Sequence, residues 1–128
     1  MARETEDHAL DTETVQAGVA HLFDAPEHGF YLVVESEDTV VGSLMITHEW
    51  SDWRDGLWWW IQSVYVVPNF RRQGVFSALY REVTNLARQD DRICGLRLYV
   101  EKDNTNAQKV YAQLGMSETP YRVYEQLF

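Results

Sequence analysis

Only one cysteine, Cys94, occurs in the chain, which excludes an internal disulfide. Set between Ile93 and Gly95, it reads as a small core residue, and no motif around it suggests an activated thiolate. The histidines, His8, His21, His28 and His48, lack HExxH spacing and have no second cysteine to join them, so no metal site is expected. Lysine is nearly absent as well. Lys102 and Lys109 both lie far from the helix-opening Gly74, which excludes a Walker A loop and with it an NTPase. Positive charge is in deficit, eleven basic against twenty acidic residues for a formal charge of −9, which opposes non-specific nucleic-acid binding and mildly favours cationic partners. No run approaches eighteen consecutive apolar residues, and Met1 to Asp11 lacks a signal-peptide apolar region, so no membrane partner and a cytoplasmic location are expected.

Apolar content is sufficient for a core. At 45% hydrophobic, with five tryptophans, seven tyrosines and five phenylalanines in 128 residues, the chain fits one domain over 1–128 without metal or disulfide support. It is organised around Ile61 to Arg88. A β-branched and aromatic run from Ile61 to Val67 closes at Pro68, and an amphipathic helix starts at or just after Gly74. Val75, Leu79, Val83 and Leu86 share one helical face, which should pack on a sheet. The turn between strand and helix is where chemistry is expected. A helix N-terminus offers unpaired N–H groups and a positive dipole end to an anion, Gly74 permits close approach, and Arg71 and Arg72 can add charge-assisted bonds to phosphate. Taken alone, R-x-x-G before a helix is a weak signal.

The remaining elements follow from periodicity. Asp11 or Thr12 caps a short helix through Val15, Val19, Leu22 and Phe23, stopped by Ala25 and Pro26. Phe30 to Glu35 and Val40 to Thr47 read as an antiparallel hairpin. His48 to Gly56 reads as an irregular loop whose Trp50 and Trp53 pack over the hairpin end; the competing reading is a pocket for an ammonium group. Trp58, Trp59 and Trp60 alternate faces of the next strand. Ile93 to Val100 is a buried strand, and the strand-helix-strand order makes Ile61–Val67 and Leu96–Val100 parallel neighbours. Asn104 or Thr105 caps a helix with Ala107, Val110, Tyr111 and Leu114 on one face and Gly115 as its stop, and Tyr121 to Phe128 reads as a last strand.

Two stretches in this order carry a resemblance. Arg71, Gly74 and Phe76 fall on a Q/R-x-x-G-x-G/A pattern after a strand, and Asn104, Ala107, Tyr111, Gly115 and Met116 fall on N-x-x-A-x-x-x-Y-x-x-x-G-F/M. Together they resemble the GCN5-related N-acetyltransferase (GNAT) family, over about Phe30 to the C-terminus. The second pattern matches in full; the first departs at Phe76, where a small residue is usual. The resemblance implies an α/β (α+β) fold: a mixed, mostly antiparallel sheet with a central, splayed parallel pair flanked by helices. It also implies acetyl-CoA as cosubstrate, with the pyrophosphate on backbone amides of Arg72, Gln73, Gly74, Val75, Phe76 and Ser77. Arg71 and Arg72 would lie near the phosphates, backbone at Val66 and Val67 would pair with the pantetheine, and Asn104 and Ala107 would belong to the same site. Tyr111 matches the tyrosine that protonates the departing thiolate.

An acceptor amine, on a small molecule or a protein, would attack the thioester directly, so the lack of a nucleophile triad is no objection. Many members carry a glutamate on the strand before the turn, yet Leu57 to Val67 holds no carboxylate. A water relay, or Glu49, Asp52 or Glu101, is left as base. A rival from another class is a CoA-binding module without turnover, used for regulation or assembly. Members usually begin with a further strand and helix, which Met1 to Asp11 is too short and polar to supply. The Phe30–Glu35 strand would then be an open sheet edge, and a homodimer burying that edge or the neighbouring helix surface is expected.

Overall fold

The structure, a computed structural model, describes residues 11–128. The expectation for residues 1–10, that they supply no strand or helix, lies outside the described residues. Helix α1, Thr12–Asp24, starts where the Asp11 carboxylate accepts the Thr14 N–H at 3.2 Å and ends at Ala25, just before Pro26. Strands β1, Gly29–Ser36, and β2, Thr39–Ser51, form an antiparallel hairpin. Its two turn residues, Glu37 and Asp38, both have left-handed φ, 52° and 66°, the conformation that matches the strand twist. Strand β3, Gly56–Val66, pairs antiparallel with β2; after a short 3₁₀ turn at Pro68–Phe70, helix α2, Val75–Arg88, crosses to β4, Ile93–Leu98, which lies parallel to β3. Helix α3, Thr105–Gln113, follows. The sheet order is β1-β2-β3-β4, so β1 is one edge and β4 the other.

One face of this sheet holds the core. Leu44 and Ile46 of β2, Trp59 and Ile61 of β3, and Leu79, Val83 and Ala87 of α2 are buried together, with Phe30, Leu32, Leu96 and Leu98 packed around them. The α2 stripe recurs every four residues, as one face of an amphipathic helix requires. Burying a side chain of this size stabilises by about 1.5–3 kcal/mol. Leu79 and Val83 therefore clamp α2 to the sheet and fix where its N-terminus lies.

Four sequence expectations need correction. His48 to Ser51 is strand, because these residues pair with Gly56 to Trp59, and cross-strand aromatic partners extend the ladder; the loop shrinks to 52–55. Trp50 and Trp53 do not cover the sheet: Trp53, on the hairpin tip, is 88% exposed. Cys94 is exposed rather than a core residue, since it lies on an edge strand. Tyr121 to Phe128 is not assigned as strand; it is exposed, and among the described residues no strand pairs with it.

Candidate active site at the divergence of two parallel strands

The parallel pair runs from Leu57↔Ile93 to Ile61↔Leu98, with one register shift between Leu57 and Trp58; it is a shorter and earlier span than the sequence suggests, and stops there. The cause lies two residues further on. Between Gln62↔Met45 and Tyr65↔Ser43, the residues Ser63 and Val64 together oppose Leu44, and Ser63 takes φ 52°. Such a β-bulge bends its strand and sharpens the local twist. From Gln62 to Val66, β3 follows β2 and leaves β4, opening the splay. Past the bulge, the Val67 N–H donates to Val41 O at 2.9 Å. Val67 is thereby removed from the pair of residues expected to meet the pantetheine: its amide is spent within the sheet. By strand alternation, the N–H and C=O of Val66 point the other way, away from β2. The Val66 carbonyl accepts Arg71 Nε at 2.9 Å.

The turn that follows is built to leave the start of α2 uncapped. Gly74, the N-cap, has φ 81° and no side chain to offer, so the first intrahelical bond is Ala78 N–H to Gly74 O at 3.0 Å. The amides of Val75, Phe76 and Ser77 precede it and face outward, and a Cβ built on Gly74 would meet nothing within 4 Å. Open space and unpaired donors therefore coincide. Gln73 Nε2 ties back to Asn69 O at 2.8 Å, and the guanidinium of Arg71 lies over the Tyr65 ring at 5.7 Å. Arg72, exposed and with φ 63°, follows it. A second glycine sets how close this turn lies to the sheet: a Cβ on Gly42 would stand 2.7 Å from Val75 Cγ1.

Helix α3 brings in the second motif. Asn104 Oδ1 accepts the Ala107 N–H at 3.2 Å, so both residues build the helix start. At the other end Met116 N–H reaches Tyr111 O and Gly115 N–H reaches Ala112 O, both at 3.1 Å, with Gly115 at φ 97°, a Schellman stop. Between these caps, the half-buried Tyr111 meets Phe76 edge-on, ring centroids 5.6 Å apart. The residue that departs from the first motif thus touches the tyrosine of the second. Arg71 through Ser77 and Tyr111 are brought into one neighbourhood; Asn104 and Ala107 reach it as the scaffold of α3.

The candidate bases are spread apart. Asp52 sits in the hairpin turn and Glu101 in the turn before α3, where its carbonyl accepts Asn104 N–H at 3.0 Å. Glu49 stands in a cluster that sequence reasoning missed: its Oε1 accepts Trp60 Nε1 at 2.9 Å and Arg97 at 3.2 Å, while Arg97 lies 3.9 Å above the Trp58 ring and Tyr99 stacks on Trp60 at 4.5 Å. Glu49, Trp58, Trp60 and Arg97 come from three strands and Tyr99 follows the last of them, so no local spacing signals the cluster. Gln62 donates to Thr47 Oγ1 on the neighbouring strand.

The model of the acetyltransferase (GNAT) family matches residues 2–116. The chain belongs to this family, and the class of protein that fold and site define is an N-acetyltransferase. Among solved structures it is similar to a possible acetyltransferase from Clostridium difficile 630, at 44% identity and TM-score 0.91, with 99% of this chain and 84% of that chain covered. At 21% identity and TM-score 0.73 it shares the fold of the aminoglycoside 6'-N-acetyltransferase AAC(6')-IG from Acinetobacter haemolyticus, covering 94% of this chain and 84% of that one. The aminoglycoside N-acetyltransferase AAC(6')-Iy, solved in complex with CoA, has the same fold at 19% identity and TM-score 0.72, covering 91% and 87%. None of the curated proteins matches the chain. Among the described residues no helix is long and apolar enough to cross a membrane.

Proposed function

We propose that the chain is a cytoplasmic enzyme that transfers an acetyl group from acetyl-CoA to a primary amine of a small molecule or protein, by direct attack on the thioester. The observation that carries this reading is the coincidence, at one place, of an uncapped helix N-terminus, a bulge-driven strand divergence and Tyr111. The residues fit the coenzyme: the amides of Val75 to Ser77 and the charge of Arg71 and Arg72 suit a pyrophosphate, and the open space at Gly74 admits it. A neighbour of the same fold holds CoA.

In the transfer, the amine nitrogen forms a bond to the carbonyl carbon while the carbon–sulfur bond breaks. The Val66 N–H, fixed by the strand before reaction, stabilises the carbonyl oxygen as it gains negative charge. Tyr111, a phenol of pKa about 10 and so protonated at neutral pH, gives its proton to the departing thiolate as the carbon–sulfur bond breaks; with a thiol near 8.5 the transfer is uphill by about 1.5 pKa units, and the phenolate regains its proton from water. With no carboxylate on β3, the amine's proton leaves through water. The test is Tyr111→Phe. Loss of the proton donor is expected to lower kcat roughly 10²-fold with coenzyme affinity retained, because the hydroxyl acts as the thiolate leaves. Full kcat in the variant would make Tyr111 a packing residue.

A further inference from the structure

The attacking amine can reach the thioester from one side only. The core stripe of α2, its uncapped start and Tyr111 against Phe76 occupy the α2 side of the splay, so the amine comes from the opposite face of the sheet. Gln62 lies there. Ile61 points into the core, so by strand alternation the half-buried Gln62 points to the open face, at the last β3 position paired with β2 before the bulge. Its Nε2 donates to Thr47 Oγ1, which fixes the amide, and among the described residues nothing donates to its Oε1. Such an oxygen accepts an N–H but does not carry off a proton. No base stands in for it. On this face β1 presents Tyr31, β2 presents Met45 and Thr47, and β3 presents Trp60, all uncharged at neutral pH. The next charges, Glu49 and Arg97, hold each other at 3.2 Å, and Glu49 also accepts Trp60 Nε1. His21, Asp24 and His28 line a cavity of about 560 Å³ that borders Met45, the residue opposite Gln62. They stand on α1 and the turn after it, over β1 and β2 rather than at the splay. The cavity itself leaves room for the body of an acceptor.

We infer, resting on the acetyl transfer proposed above, that Gln62 Oε1 accepts an N–H of the attacking amine and that the acceptor is a weakly basic primary amine. The α-amine of a peptide and an aryl amine both have this chemistry, whereas alkylamines and lysine side chains do not. The nitrogen lone pair forms the bond to the carbonyl carbon, the thiolate leaves with the proton of Tyr111, and the extra proton on nitrogen passes to water. An amine that arrives charged has no group here to deprotonate it. It would also lose solvation beside Gln62, Met45 and Trp60 without a carboxylate to pair with. An α-amine of pKa about 7.7–8.0 and a lysine amine of about 10.4 differ by about 2.5 units, so at pH 7 the neutral fraction of the first is roughly 300-fold larger. Greater basicity returns roughly half a decade of nucleophilicity per pKa unit, by analogy with thiols, which leaves the weak amine an advantage of about tenfold or more.

The experiment measures kcat/KM at pH 7, by release of CoA thiol from acetyl-CoA, for four acceptors on the parent and on Gln62→Glu. A dipeptide amide and an aryl amine are the weak amines; cadaverine and Nα-acetyl-lysine are the strong ones. The parent is expected to favour a weak amine by about tenfold or more, and which of the two it favours separates a peptide from a small aromatic acceptor. Gln62→Glu places a carboxylate base beside the amine, so it should narrow that preference about tenfold or more by raising kcat/KM for the strong amines. Should the glutamate variant fail to fold, as circular dichroism shows, Gln62→Met serves instead, and its kcat/KM for the favoured weak amine should fall about tenfold. A parent that acetylates cadaverine or Nα-acetyl-lysine as well as the weak amines overturns the inference and leaves acetyl transfer standing, with His21 or His28 as the base to examine. So does a folded Gln62→Glu, or Gln62→Met in its place, that behaves as the parent does. Binding of acetyl-CoA with no transfer to any of the four overturns the inference together with the acetyl transfer on which it rests.

Discussion

Helix α2 lies close against the sheet at Gly42, and replacing this glycine by alanine tests whether that approach positions the anion site. The new Cβ would stand 2.7 Å from Val75 Cγ1, 3.4 Å from Tyr65 O and 3.6 Å from Leu79 Cδ1, and ordinary contacts begin near 3.4 Å, so the first is short by 0.7 Å (3.4 − 2.7). Val75 cannot simply turn away. A β-branched side chain in a helix has one strongly preferred rotamer, and leaving it costs about 0.5–1.5 kcal/mol. The alternative is that the first turn of α2 lifts by a comparable distance and carries the amides of Val75 to Ser77 with it. A hydrogen bond of about 2.9 Å stretched by that amount passes beyond useful range. Overpacking of this kind costs about 1–3 kcal/mol of stability. Loss of one bond to a charged phosphate, about 1.5–3 kcal/mol, is roughly a tenfold to hundredfold loss in acetyl-CoA affinity. Calorimetric titration and thermal denaturation of Gly42→Ala check both figures, and the double variant Gly42→Ala/Val75→Ala, which removes the clashing methyl, should recover most of the affinity. Unchanged affinity in Gly42→Ala would refute the idea that this contact sets the position of the helix start.

Gly74 offers a sharper test of charge. Gly74→Ala and Gly74→Glu share the strain of a side chain at φ 81°, so both lose some stability, but only the glutamate should abolish stabilisation by acetyl-CoA in a melting assay. Equal coenzyme response in the two variants would remove the turn from the site. With no carboxylate on β3, the basic limb of the pH–rate profile should follow the pKa of whichever amine is acetylated; a limb that stays fixed when acceptors are exchanged points to an enzyme base such as Glu49. Away from the site, hydrogen bonding to Arg92, then its charge, lowers Asp90 to about 2. A depressed folded pKa contributes stability above the unfolded value and loses it as pH falls through about 2, so Asp90→Asn should destabilise at neutral pH and match the parent near pH 2, as acid denaturation midpoints will show.

How far the sequence reveals this arrangement depends on whether the determinant is local. Helix α2 is legible from Val75, Leu79 and Val83 because its packing face repeats every turn, and Asn104 and Gly115 mark both ends of α3 because capping is a short-range signal. The bulge at Ser63 is not legible: a serine at positive φ has no compositional mark, and the splay it produces depends on how two strands align. The same holds for Glu49, Arg97 and Trp60, joined only by the register of three strands. His48 to Ser51 misleads because its polar and aromatic composition suggests a loop, whereas the tryptophan strand opposite holds it in the sheet. Tyr121 to Phe128 has strand composition without a strand partner in its own chain, so local pattern and fold part company there.

The central claim is that the divergent strands and the uncapped helix serve turnover, not mere coenzyme retention. The direct measurement incubates the protein with acetyl-CoA and a panel of small amines, polyamines, amino acids and peptides, following free CoA thiol and, by mass spectrometry, the N-acetylated product. Thiol release that depends on an amine and is matched by acetylated product is the expected result. Tight binding of acetyl-CoA with no transfer to any member of the panel would contradict it and leave a coenzyme-binding module in place of an enzyme.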